Sequence, residues 1–116
     1  MRILVNGFSE KTIDSATEVE SETVDCKNMI YACVAITYGA AVAGVLKLQE
    51  SVDGETWFDV PGQTVTISAA GTSLFKYVDA NDNVCEMASN YLKLNFVADG
   101  GGSTGLITAR FSAKGA

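Results

Sequence analysis

The sequence predicts an all-β chain, a single antiparallel β-sandwich of jelly-roll or Ig-like type with about eight strands. Three observations predict it. The apolar runs are short and rich in Val, Ile, Thr, Tyr and Phe, residues that suit a pleated, half-buried surface. Glycine occurs eleven times, mostly between those runs, and proline only once, at Pro61. Several runs alternate with a period of two rather than 3.6. A length of 116 residues fits one domain over 1–116, with residues 1–14 as an N-terminal arm. A chain this long can hide roughly two-thirds of its unfolded surface, so its core needs no metal or disulfide.

From Ala16 to Val24 the chain alternates, with Glu18, Glu20 and Glu22 on one side and Thr17, Val19, Ser21 and Thr23 on the other. A row of carboxylates must face water and suits an edge strand, where charge discourages stray pairing. Met29 to Tyr38 is apolar on both faces, the pattern of a central strand covered on both sides. The small residues from Gly39 to Gly44 connect it to a strand over Val45–Ser51, with Leu46 and Leu48 inward. Val52-Asp-Gly-Glu55 reads as a tight hairpin turn, since Gly supplies a positive φ. Thr56–Val60 returns and Pro61-Gly62 ends it. Val65–Ile67 and Ser73–Val78 are two further short strands around Ala69-Ala-Gly71. Asp79–Asn90 is the one place for a helical turn, capped by Asp82 or Asn83. Tyr91–Val97 places Leu92, Leu94 and Phe96 on one face, and Leu106–Ala113 does the same with Ile107, Ala109 and Phe111. Between them Asp99-Gly-Gly-Gly-Ser-Thr-Gly105 is a loop.

Charge and composition narrow the function. The net charge is −6 and the eight basic residues are scattered, so neither free nucleic acid nor an anionic membrane surface is an expected partner. The stretch Met29–Leu46 is too interrupted to span a bilayer, and the N-terminus lacks the apolar region of a signal peptide. Cys26, Cys33 and Cys85 are odd in number and irregular in spacing, which fits reduced, partly buried thiols. Without histidine a Ser-His or Cys-His pair cannot form, so no enzyme is expected. Asp53, Glu55 and Asp59 cluster because they flank a turn. Asp79-Ala-Asn-Asp-Asn83 starts like a calcium loop, but Val84 replaces the required Gly and Asn90 the final Glu. Gly100-Gly-Gly-Ser103 leads into a strand and lacks the Gly-Lys-Ser/Thr of a phosphate loop. No cofactor and no metal are expected.

The most distinctive stretch is Leu48-Gln-Glu-Ser-Val-Asp-Gly-Glu-Thr-Trp-Phe-Asp-Val60. It resembles the Leu-Gln-x-Ser-x-Asp-Gly-x-x-Trp-x-Asp-Val/Leu hairpin of small β-sandwich proteins from tailed-phage virions. The likeness extends loosely over residues 15–115, and its specific part is the hairpin. The same segment resembles the Ser-x-Asp-Gly-x-x-Trp turn of discoidin-like carbohydrate-binding modules, and falls one residue short of the sialidase-type Asp-box. In all three, Asp and Gly shape a turn and Trp packs back on it, so the motif speaks for fold before function.

The phage resemblance implies a virion structural protein: a capsid decoration or auxiliary protein, or a neck or tail component. Such a protein is made in the host cytoplasm and resides in the virion as a homo-oligomer or lattice-bound copies beside other capsid or tail proteins. An acidic protein is repelled by packaged DNA, which favours the outside of a shell. The alternative is a carbohydrate- or cell-surface-binding module with Trp57, Phe58, Tyr77 and Tyr91 as stacking residues. The expected interface comprises Trp57, Asp53, Gly54, Gly100, Gly101 and Gly102. Trp57 is expected over its own turn, and Phe58 in the core, where truncation to Ala would cost about 3–5 kcal/mol.

Overall fold

The computed structural model describes residues 2–13, 18–39, 42–81, 83, 85–98 and 105–115. Among these, nine strands form: β1 (Arg2–Ile13), β2 (Glu18–Glu20), β3 (Val24–Asp25), β4 (Tyr31–Tyr38), β5 (Gly44–Ser51), β6 (Phe58–Ile67), β7 (Gly71–Lys76), β8 (Tyr91–Ala98) and β9 (Gly105–Lys114). Sheet A runs β1-β9-β4-β7 and sheet B runs β2-β8-β5-β6, with β3 also paired to β8. All pairings are antiparallel. β2 lies along residues 95–97 of β8 and β3 along 91–92, so the two are one interrupted edge strand. Counted that way the sandwich has eight strands in two interleaved Greek keys. This is jelly-roll connectivity, and it resolves the choice between jelly-roll and Ig-like.

The core lies between the inward rows of the two sheets. Leu92, Leu94 and Phe96 of β8 and Leu46 and Leu48 of β5 meet Ile107, Ala109 and Phe111 of β9 and Val34 and Ile36 of β4, all buried. Each large member contributes roughly 1.5–3 kcal/mol by leaving water.

Several elements depart from the sequence pattern for identifiable reasons. Residues read as an arm form β1, paired with β9 from Arg2↔Lys114 to Ile13↔Gly105. Its register shifts at Gly7, where a Cβ would come 2.5 Å from the Phe111 ring. The expected strand over 16–24 breaks at Ser21. There the chain crosses toward sheet A: the Glu22 N–H donates to the Gly7 carbonyl, and Ser21 Oγ accepts the Leu94 N–H at 2.8 Å in place of a ladder carbonyl. Pro61-Gly62 does not end a strand. It forms a wide bulge between Lys47↔Thr64 and Gln49↔Asp59, with Gly62 at φ 71°, and β6 continues to Ile67. Such a bulge tolerates proline on an edge strand.

No helical turn occurs among the described residues of 79–90. The Tyr77 and Met87 N–H groups donate to the Ala32 and Ile30 carbonyls, which draws the segment out beside β4. Asp79 closes a local turn by accepting the Asn81 and Asn83 N–H groups. The largest correction concerns β4. It is central in its sheet, but only Val34 and Ile36 are buried, while Tyr31, Ala35 and Thr37 are exposed and Cys33 is half-buried.

Gly44 opens β5 where the strands leave no room for a side chain. A Cβ there would overlap the Val97 carbonyl oxygen and approach Phe96 Cζ to 2.7 Å. The Gly44→Ala variant is expected to lose about 1–3 kcal/mol, the usual cost of overpacking, because backbone rather than a mobile side chain must yield. Urea unfolding of the variant beside the parent measures it, and equal stability would contradict the packing described.

Candidate interaction surface

The β5–β6 hairpin turns through residues 52–57, a longer loop than the tight turn expected from Asp-Gly. Asp53 Oδ1 accepts the Glu55 and Thr56 N–H groups at 2.8 and 2.9 Å and the Ser51 hydroxyl at 3.1 Å. Ser51 Oγ in turn accepts the Gly54 N–H at 2.8 Å. Gly54 sits at φ 81° with its α-carbon toward the Tyr91 ring. Asn90 ties the loop to β8, donating from Nδ2 to the Val52 carbonyl and from its N–H to the Ser51 carbonyl. The Thr56 and Glu55 N–H groups hold the Asp53 carboxyl below its ordinary pKa. Asp53 and Gly54 thus form the turn, as expected of them, through hydrogen bonds that do not involve the Trp57 ring.

Trp57 lies on the outer face of sheet B. The Lys93 ammonium stands 4.3 Å from its ring centroid and donates to Glu20 at 2.8 Å. The Lys93 side chain is only 8% exposed, so indole and carboxylate together shelter a cation on what the alternation marks as a polar face. Further along, Asn95 donates to Glu18, and Asp59 accepts from Gln49 and pairs with Lys47 at 3.4 Å. Most of this face's charges are therefore satisfied internally. Asp59, like Asp53, is held below the usual carboxylate range, here chiefly by Gln49.

Phe58 corrects the expectation of a core residue: it is 62% exposed. It stands opposite Glu50, whose neighbours across the sheet and along β5 are the buried Leu92 and Leu48, so the side chain does point to the inner side. It lies on an edge strand, however, beyond the cover of sheet A. Val52, in the loop, is 64% exposed. The four aromatics proposed for stacking do not converge. Trp57 and Phe58 take opposite faces. Tyr77 is buried with its hydroxyl on Glu50, a carboxylate that also accepts from Ser89 in a very short bond. Tyr91 is half-buried beside Gly54, with Lys27 over its ring at 5.5 Å. Gly100, Gly101 and Gly102 lie outside the described residues.

The feature that sequence reasoning missed is the outer face of sheet A. Tyr31 (40% exposed), Cys33 and Leu74 (55% exposed) line a groove of about 300 Å³, with Lys76, Ser112 and Lys114 at its margins. Strand register builds it: Cys33 is flanked by Lys76 on β7 and Ser112 on β9, Tyr31 by Lys114, and Ala35 by Leu74. None of the fourteen acidic residues lies on β4, β7 or β9, which carry Lys76, Arg110 and Lys114. The usable signal was the two-faced apolarity of β4, which indicates cover on both sides without saying that the second cover comes from this chain.

The three cysteines are free thiols. Burial, and then Asp25, push Cys26 up to about 11. Among the described residues no group of three Asp, Glu or Cys side chains gathers as metal ligands would.

No protein-family model and no curated protein sequence matches the chain. Solved structures share its fold. The PBSX exported protein XepA superposes with a TM-score of 0.68 at 13% identity over 98% of this chain, which spans 37% of that one. The SPBc2 prophage-derived protein YomS gives 0.63 at 10% identity, covering 97% of this chain and 94% of its own. The VP2 subviral particle of infectious bursal disease virus gives 0.60 at 10% identity, over 97% of this chain and 32% of that one. Fold and topology define the class, an antiparallel jelly-roll β-sandwich, which structures of phage-derived and viral proteins share with this chain.

Phe58→Ala is expected to change stability by no more than about 0.5 kcal/mol, as exposed positions do. A double-mutant cycle of Trp57→Leu with Lys93→Met is expected to show a coupling of roughly 0.5–2 kcal/mol. Chemical denaturation reads both, and a large Phe58 loss with no Trp57–Lys93 coupling would invert the assignment. A further prediction concerns acid. A carboxyl with a lowered folded pKa stabilises fully above its unfolded value, and that stability drains as pH falls through the folded one. Asp53 and Asp59 should therefore make stability fall as pH drops below about 4. Asp53→Asn keeps an oxygen acceptor but cannot titrate, so its Tm should fall less between neutral pH and pH 3 than the parent's. An identical acid slope would show that Asp53 does not contribute.

Proposed function

We propose that the chain is a non-enzymatic structural subunit of a tailed-phage virion, a capsid decoration or auxiliary protein or a neck or tail component. It works by binding other virion proteins. The observation that carries this reading is the outer face of β4, which no described residue of the chain covers. A central strand whose outward side bears Tyr31, Cys33 and Ala35 beside Leu74 has an apolar surface that water does not favour and a protein neighbour would. The phage resemblance of the hairpin and the fold shared with XepA and YomS support the same reading by analogy. The net charge of −6 favours a place away from packaged DNA. A glycan-binding role has less support, since the aromatics it would use diverge.

Mass spectrometry of purified particles, with copy numbers scaled to the major capsid protein, tests this. Copies comparable with the capsid protein would identify shell decoration, and a few per particle a neck or tail part. Absence from particles while the chain is abundant in the lysate would overturn the proposal.

A further inference from the structure

We infer that the β5–β6 hairpin of one copy docks, through Phe58, into the groove on the outer face of sheet A of a second copy. The inference deepens the assembly reading and rests on it. Both halves of the contact belong to this chain and are matched in polarity. The hairpin presents Phe58 and Val52, its two most exposed large apolar side chains, beside Asp53 and Glu55, with no cation between residues 52 and 58, while Asp59 is turned to the other face and paired with Lys47. The groove presents Tyr31, Cys33 and Leu74 beside Lys76 and Lys114, on strands that carry no acid.

Size agrees as well. An apolar cavity of about 150 Å³ holds a benzene molecule, so a groove of about 300 Å³ has room for a ring the size of Phe58's. Charge also argues against the simplest alternative between copies. Two sheet A faces packed directly together would place Lys76 and Lys114 of one copy near the same cations of the other, and like charges at an interface disfavour it. A hairpin-to-groove contact joins two different patches, so it can be reciprocated in a closed pair or propagated through an array.

Sedimentation velocity of the full chain from roughly 5 to 200 µM, at about 0.05 and 0.5 M salt, reads the association and its screening. Self-association that weakens with salt is expected. Phe58→Ser and Leu74→Glu both change exposed positions, and retained thermal unfolding verifies that each variant folds. Each alone should weaken association at least about tenfold, as loss of an interface anchor does. An equimolar mixture should regain a heterodimer, because the first variant keeps the groove and the second keeps the hairpin. Alkylation of Cys33, located by peptide mapping, should slow as the parent protein is concentrated but not as Leu74→Glu is.

A chain that stays monomeric at every concentration, or association that neither variant weakens, overturns the inference. So does a monomer whose Leu74→Glu form alone is lost from particles, which would assign the groove to another virion protein. A chain found in particles yet monomeric loses only the hairpin contact. One that self-associates through these residues but is absent from particles loses only the virion reading.

Discussion

Everything else in the molecule is arranged around two rows of side chains that must exclude water together. On β8 these are Leu92, Leu94 and Phe96; on β9 they are Ile107, Ala109 and Phe111. Each strand sits inside its sheet, with β8 between the β2/β3 edge and β5, and β9 between β1 and β4. A slip of one residue in either would turn its row to solvent, so burial fixes register at the centre and the neighbours inherit it. Gly7 allows Phe111 its place, and Gly44 allows Phe96 its own. The jelly roll links these rows because the chain alternates between sheets, passing from β4 to β5, from β6 to β7 and from β8 to β9. Most contacts are thereby long-range, a topology whose loop-closure entropy slows folding.

This explains which parts of the fold the sequence could show. Strands with one inward row are written in alternation, and β5, β8 and β9 lie within a residue of where periodicity places them. The departures arise where a non-local interaction overrides a local signal. Pro61-Gly62 looks like a terminator, but the edge position of β6 lets it be a bulge. Asp79–Asn90 has a capping residue, but the Ile30 carbonyl takes the Met87 N–H that a helix would use. Ser21 looks like one more residue of an alternating strand, and only the approach of Gly7 in the other sheet shows why the strand stops there.

The candidate interaction surface was legible to a lesser degree, for a reason that Phe58 and β4 share. Alternation says which side of a sheet a residue takes; it does not say whether anything lies over that side. Phe58 follows the rule and points inward, yet its strand overhangs the opposing sheet. β4 is apolar on both faces, yet among the described residues only one face has a partner. Asp53 and Gly54, by contrast, were legible because their role is local, a turn closed by hydrogen bonds across three residues. Lys93 was the least legible of all, being a cation in a polar row whose near-burial depends on Trp57 and Glu20 arriving from two other segments.

The sheet edges narrow the ways in which such a molecule can meet a neighbour. An open edge invites another strand, and three of the four sheet edges, β2, β6 and β7, carry something that discourages it, the fourth edge being β1. β2 bears Glu18 and Glu20. β6 carries Pro61, which has no N–H to offer, and the twist of its bulge. On β7 the Lys76 N–H is taken by Gln63 Oε1 at 2.9 Å, a side chain from the other sheet that stands where a foreign carbonyl would bond. Strand addition along these edges is therefore costly. The outer faces differ in turn. That of sheet B has its ions matched by Glu20–Lys93, Glu18–Asn95 and Asp59–Lys47, and a partner there would have to disturb pairs already made. The outer face of sheet A has apolar side chains beside cations and no acid on β4, β7 or β9. Covering it removes apolar surface from water and brings Lys76 and Lys114 toward an acidic partner, so it is the side of the sandwich on which association has the most to gain and the least to break.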